Sequence, residues 1–305
     1  MRKVRHSVVR LAFCSVIWPL AGLAEEQNGS DAQNKERANA PGINKAQYNL
    51  FNPTPRAYLR EMSTDRPDKT ESAFTVDAGH FQIEGDAFTY TRDHQTRNGA
   101  DTRVDSYAIG LLNLKVGLFN RVDLQVVLDD HSHERTEDRV AGTVTKQSGF
   151  GDVTTRFKVN LWGNDGGKTA FAVMPFIKAP TSQEGLGNQA VEGGVVLPLA
   201  VQLPWGWSMG LMTELDFNED GDANGRHTES INTVTFGHDI VGKLAGYVEF
   251  FSAVSTEAAS EWIGTFDLGF TYGLTDNIQL DAGVNLGITD SADDVNTFIG
   301  FSIRF

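Results

Sequence analysis

The sequence predicts an all-β chain: a transmembrane antiparallel β-barrel of about 12 strands, with short periplasmic turns and longer extracellular loops. Three features point there. Period-two alternation of apolar and polar residues runs through the last three quarters of the chain. The links between alternating segments are short and long by turns. The chain also ends on "TFIGFSIRF", an alternation whose last residue, Phe305, is aromatic. Val295, Thr297, Ile299, Phe301, Ile303 and Phe305 share one face of that segment, and a polar solvent gives such a face no reason to exist.

At the other end, "MRKVRHSVVRLAFCSVIWPLAGLA" sets Arg2, Lys3 and Arg5 before a short apolar stretch and then Gly22 and Ala24. This is the pattern of a secretory signal peptide over residues 1–24. Cys14 is the only cysteine, so a chain cleaved there carries none and gains nothing from disulfides. The full chain has a net charge of −14, and the segment holds Arg2, Lys3, Arg5 and Arg10 without an acid, so cleavage makes the remainder more acidic still. Such a balance argues against nucleic acid as a partner and favours cations wherever carboxylates gather. Beyond the signal no apolar run is long enough for a spanning helix.

Residues 25–45, "EEQNGSDAQNKERANAPGINK", are polar and read as a tether. The stretch that follows is rich in proline and in closely spaced opposite charges, and residues 25–78 together form a polar periplasmic segment ahead of a barrel over 79–305. Within the barrel, alternation marks segments near 80–92, 103–118, 122–129, 150–162, 169–180, 191–203, 207–218, 229–240, 244–255, 262–274, 277–289 and 295–305. Most have the length needed to cross a bilayer at a tilt. Tight links fall at 120–121, 163–168, 204–206, 241–243 and 275–276, and longer polar links at 93–102, 130–149, 181–190, 219–228, 256–261 and 290–294. Trp162, Trp205 and Trp207 sit at the short-turn rim, and Phe150, Phe217 and Trp262 near the long-loop rim, as two interfacial girdles require. A secreted β-sandwich explains the alternation but not this rhythm or these aromatics.

Three stretches, "MSTDRPDKTESAFTVDAGHFQIE" (62–84), "GFGDVTTRFKVNLWGNDGG" (149–167) and "GHDIVGKLAGYVEFF" (237–251), carry a family resemblance. From about Asn52 to Phe305 the chain resembles the outer-membrane transporter-like family named for the meta-pathway of phenol degradation. The resemblance implies a β-barrel that passes aromatic or other small hydrophobic compounds. It brings no catalytic residues.

The face opposite the apolar one supplies candidate lumen-lining residues: Glu84, Asp86, Asp105, Tyr107, Lys115, Asp123, Asp129, Asp152, Arg156, Lys158, Glu192, Glu214, Glu249, Asp267, Asp281 and Arg304. Such charges either pair across the lumen or select the solute. Phe88, Tyr90, Tyr107 and Tyr247 are the aromatics expected among them. "STDRPDKTES" lies just ahead of the first strand, where it could fold into the lumen as a plug. Arg66 and Lys69 would then meet wall carboxylates, while Asp65, Asp68 and Glu71 meet Arg156 or Lys158. Phe301, Ile303 and Phe305 form the closing strand that the barrel-assembly machinery would read.

The resulting expectation is a passive outer-membrane channel for small hydrophobic or aromatic solutes. Its partners would be outer-membrane lipid, the assembly machinery and a small-molecule solute. No cofactor and no metal is expected. The competing classes are a non-transporting structural barrel and an outer-membrane hydrolase with Asp129, His131 and His133 at the loop rim. Residues 216–227, "DFNEDGDANGRH", begin like a calcium loop, but His227 stands where a bidentate glutamate is wanted.

Overall fold

The computed structural model describes residues 43–305 except 98, 130, 184–185, 187–189 and 222–224. The segment expected to be a signal peptide, residues 1–24, and most of the expected tether lie outside the described residues.

Fifteen strands are present among the described residues: β1 (Phe81–Arg97), β2 (Ala100–Ile109), β3 (Leu112–Phe119), β4 (Val122–Leu128), β5 (His131–Asp138), β6 (Thr143–Phe150), β7 (Val153–Trp162), β8 (Thr169–Ala179), β9 (Glu192–Gln202), β10 (Trp207–Glu219), β11 (Arg226–Val241), β12 (Leu244–Ser255), β13 (Ile263–Thr275), β14 (Ile278–Gly287) and β15 (Val295–Arg304). Every pairing among them is antiparallel. Twelve of them (β1, β3, β4 and β7 to β15) follow one another around a ring that closes where β15 pairs with β1, from Gln82 opposite Arg304 to Arg92 opposite Val295. Beyond the last strand, Phe305 N–H donates to the Phe81 carbonyl at 2.9 Å. Closure leaves this ring no open edge, the one sheet arrangement hydrocarbon tolerates.

Burial in this barrel is inverted. Its largest fully buried side chains include Lys158, Gln82, Gln125, Glu84, Glu249 and Asp267, while Phe270 is 50% exposed, Ile299 53% and Phe305 56%. In β4 the inward positions are Asp123, Gln125 and Val127, alternating with Val122, Leu124 and Val126. Water cannot drive such an arrangement, since it buries charge and exposes hydrocarbon. Lipid can. Trp162, Trp205, Trp207, Phe150, Phe217 and Trp262 are all exposed, at the two ends of their strands where rings with a polar edge suit the interface.

The long-loop rim departs from the sequence reading. The expected loop over 130–149 is largely strand: β5 and β6 form a hairpin from His131 onward, and with β2 and the upper half of β1 they build a four-stranded sheet rising above the ring in the order β1-β2-β5-β6. The segment expected as one strand over 103–118 is two, β2 and β3, divided at Gly110 and Leu111. Gly110 has φ +85°, the left-handed region that a residue without Cβ enters cheaply.

That break, and a register shift between Asp86 and Phe88, correct two of the lumen-lining assignments. Each irregularity changes which parity faces inward. Below them Glu84, Asp86, Asn113 and Lys115 face the lumen; above them Ala108 and Asp93 are buried while Phe88 and Tyr107 are exposed. Asp105 and Tyr107, opposite Arg92 and Tyr90, therefore lie on the outer face. Phe88 and Tyr90 go with them.

Candidate functional site

A β-barrel interior with this much charge must be filled by counter-charges or water. The chain fills it from its own N-terminal segment. Residues 44–80 contain only two single-turn helices, Lys45–Gln47 and Arg56–Tyr58, and are tied to the short-turn rim by bridges from Asn49 to Phe119 and from Ala78 to Gly117. The stretch 63–77 runs among the inward-facing side chains and bonds to them all around the ring.

Asp65 is the centre of this network. Its Oδ1 lies 2.6 Å from Lys158 Nζ on β7 and its Oδ2 pairs with Lys115 on β3, while Lys115 also pairs with Glu84 on β1. All four side chains are nearly inaccessible to solvent. Asp65 N–H donates to Glu84 Oε2 at 2.9 Å, and Ser72 N–H donates to Asp65 Oδ1 at 2.9 Å, folding the segment back on itself. Arg66 bridges from the same strand β1 across β15 to β14, reaching Asp86 Oδ1 at 2.8 Å and Asp281 Oδ1 at 2.7 Å. Gly300 makes room for it, since a Cβ there would sit 2.1 Å from the guanidinium.

Lys69 Nζ lies 3.1 Å from Asp267 Oδ2, and Glu249 accepts from the backbone N–H groups of Lys69 and Thr70, both at 2.9 Å. Thr70 and Thr233 share a hydroxyl–hydroxyl bond of 2.6 Å. Glu71 pairs with Arg156. Asp68 faces Thr235 and Glu249. Lower down, Asp123 Oδ2 accepts from Val76 N–H at 3.0 Å and Asn160 donates to the Ala73 carbonyl at 2.8 Å. Buried charge is tolerable only when paired or hydrogen-bonded, and Asp65, Arg66, Lys69 and Glu71 each meet an opposite charge on the wall; Asp68 does not, since it faces Thr235 and Glu249 rather than the expected Arg156 or Lys158.

The lumen is not uniformly polar. On the inner wall of β8 to β10, Met174, Val196 and Met212 form a buried apolar cluster, flanked by Phe176 and Ile231. Ala73 and Phe74 of the N-terminal segment pack nearby against Ala170, Ala172 and Ala200. Two cations of the segment also lie on aromatic faces, Lys69 at 4.3 Å from the Phe251 ring centroid and Arg66 at 5.5 Å from that of Phe298.

The remaining predicted positions have partners of their own. Asp152 Oδ1 accepts from the N–H groups of Thr181 and Ser182 at 2.9 and 2.8 Å, and Asp129 Oδ2 from Asp152 N–H at 3.1 Å. Both carboxylates fasten the long-loop rim, where β4 ends at Leu128 and β7 begins at Val153. His131 turns its ring edge to Phe150, with centroids 5.0 Å apart, and His133 stacks on Tyr107. Glu192 pairs with Lys178, and Glu214 stands near Arg156. Arg304 NH1 donates to the Arg60 carbonyl at 2.8 Å, tying the last strand to the segment. Asp220, His227 and Glu257 come together across two loops with ligand atoms within 4.8 Å; His227 Nδ1 lies 3.0 Å from Asp220 Oδ1, so that pair satisfies itself.

Several participants were not singled out from the sequence. Arg60 N–H donates to Asp77 Oδ2 at 2.9 Å, and its guanidinium reaches Asp165 Oδ1 at 2.9 Å in the 163–168 turn. Burial alone would raise the Asp165 pKa, but the hydrogen bond from Asn120 and the charge and hydrogen bond of Arg60 outweigh it and leave it lowered. Arg60 belongs to the same proline- and charge-rich stretch as Arg66, and that shared composition was the available signal.

Comparison with known proteins decides the family. The family model described as "Putative MetA-pathway of phenol degradation" matches residues 64–305. The chain belongs to that family. Among solved structures it is similar to the COG4313 outer membrane channel from Pseudomonas putida F1, at 14% identity and a TM-score of 0.58, over 80% of this chain and 100% of that one. It also matches the NanC porin at 10% identity, over 74% of this chain and 100% of that one, with a TM-score of 0.48 that carries no argument. No curated protein matches the sequence. At such identity the first likeness speaks for the fold alone, an outer-membrane β-barrel, which the inverted burial had already required.

Proposed function

We propose that this family member is a passive outer-membrane channel for small hydrophobic or aromatic solutes, with residues 63–77 acting as a plug that must shift before solute passes. The observation that carries the solute class is the cluster of Met174, Val196 and Met212 with Phe176 and Ile231 on the inner wall. A polar lumen built only to conduct ions has no use for it. Thioether and aromatic side chains adapt to flat rings of differing shape. The cations over Phe251 and Phe298 add a second foothold, because an aromatic solute can compete with either ring for the charge. The solved neighbour being described as a channel agrees with transport over catalysis.

Solute uptake by liposomes carrying the purified protein tests the reading, with phenol-sized aromatics compared against sugars of similar mass. Phenolic flux should exceed sugar flux at least tenfold, and Met212→Glu should erase most of that preference. Equal rates for both solutes would reject the hydrophobic class; no flux of either would favour a structural barrel.

A further inference from the structure

The sheet that rises above the ring carries a graded outer face. It continues the lipid-facing wall, since Phe88 pairs with the outward Ile299 and Tyr90 with Thr297. Reading upward across strands, Ile109, His131 and Phe150 form one row. The next is Tyr90, Tyr107, His133 and Ser148, and the next Arg92, Asp105, Arg135 and Lys146. Above it stand His94, Arg103, Glu137 and Val144. Hydrocarbon, ring and cation thus succeed one another along a single face.

We propose that this face binds the phosphate groups of an outer-leaflet glycolipid through Arg92, Arg135 and Lys146. The proposal rests on the outer-membrane placement of the barrel and not on which solute crosses it.

Charge is the first argument. In a chain of net charge −14, these two rows hold four cations against two carboxylates, Asp105 and Glu137. Arg103 donates to Asp105 at 3.0 Å, Arg92 lies 3.5 Å from it, and Arg135 donates to Glu137 at 2.9 Å. These carboxylates orient the guanidinium groups without neutralising them all. Among the described residues Lys146, exposed on the edge strand, has no ion pair. One row higher, Asp101 is engaged by His94 at 2.8 Å.

Depth is the second argument. Strand residues two apart are about 7 Å apart along the strand, so the cation row lies about 7 Å beyond the tyrosine row, less with tilt. The headgroup zone of one leaflet is roughly 5–8 Å thick. Aromatic rings at the hydrocarbon boundary therefore put Arg92, Arg135 and Lys146 at phosphate level. Guanidinium groups suit phosphate because their fork donates two parallel hydrogen bonds.

The test uses the full barrel in neutral detergent micelles, titrated with diphosphoryl lipid A and with its fully dephosphorylated form. Wild type should bind the diphosphoryl form at least tenfold more tightly. The triple variant Arg92→Gln, Arg135→Gln, Lys146→Gln should bind it roughly 100-fold more weakly than wild type. Arg121→Gln, at the opposite rim, should change nothing. Lys146→Gln alone, which disturbs no ion pair, should still cost several-fold, so a folding defect in the triple variant would not shelter the idea. Circular dichroism and heat-modified gel mobility report the barrel separately from the lipid. Wild-type affinity in the variants, equal binding of both lipids, or full displacement by millimolar inorganic phosphate, which would mark a free-anion site, would overturn the proposal.

Discussion

Asp65→Ala should convert a mostly closed channel into a mostly open one. Lys115 and Lys158 face Asp65 from two strands, and Lys158 is fully buried there. Removing one partner of such a cluster costs roughly 3–5 kcal/mol, because the orphaned charge stays buried. Most of that falls on the docked segment, since undocking lets water reach both ammonium groups. At about 1.4 kcal/mol per tenfold change, the docking equilibrium moves by two to three orders of magnitude. Single-channel recording in planar bilayers should register this as a rise in open probability. Lys115 retains Glu84, so the wall itself should remain folded. Asp65→Asn, which keeps the shape but not the charge, should behave nearly as Asp65→Ala if pairing holds the segment. A wild-type trace from both variants would mean that the network is not what closes the lumen.

The second large effect belongs to the outer wall. Phe270 lies in the middle of β13, opposite Gly246 and Ala282, and is half exposed. Phe270→Arg should destabilise the barrel by about 2–4 kcal/mol, the cost of a cation on a lipid face near the bilayer midplane. Urea titration in lipid vesicles should show the midpoint falling while the slope stays near that of wild type. A neutral outcome would place β13 away from hydrocarbon and undermine the assignment of faces.

The features legible in the sequence were those that lipid imposes. In β7, Val153, Thr155, Phe157, Val159 and Leu161 alternate with Thr154, Arg156, Lys158 and Asn160 because one face meets hydrocarbon and the other meets Asp65, Glu71 and Ala73. The charge pattern of "STDRPDKTES" was legible for a related reason: nine of its ten residues carry an ionisable or hydroxyl group, which makes little sense beside a barrel mouth unless complementary groups wait inside. What the sequence hid were changes of phase. Nothing in "EGDAF" or "AIGLL" announces that inward parity changes there, so Asp105 and Tyr107 were carried to the wrong face. The β5–β6 hairpin was hidden for the opposite reason. It rises beyond the ring with polar residues such as Glu134, Arg135, Thr136 and Glu137 on both faces, so no apolar stripe marks it. The apolar inner cluster was missed because Met174 and Met212 share the inward parity of charged positions, and alternation alone does not say that an inward residue must be polar.

A disulfide trap between the segment and the wall tests most directly whether residues 63–77 close the lumen. The chain beyond Cys14 has no cysteine, so Thr70→Cys with Thr233→Cys introduces a clean pair at a site where the native hydroxyls are 2.6 Å apart. The pair should oxidise readily, the oxidised protein should stay closed in a planar bilayer, and a reductant should restore current and solute flux. If the cysteines fail to join, or if the oxidised and reduced proteins conduct alike, the segment does not occupy the lumen as described here.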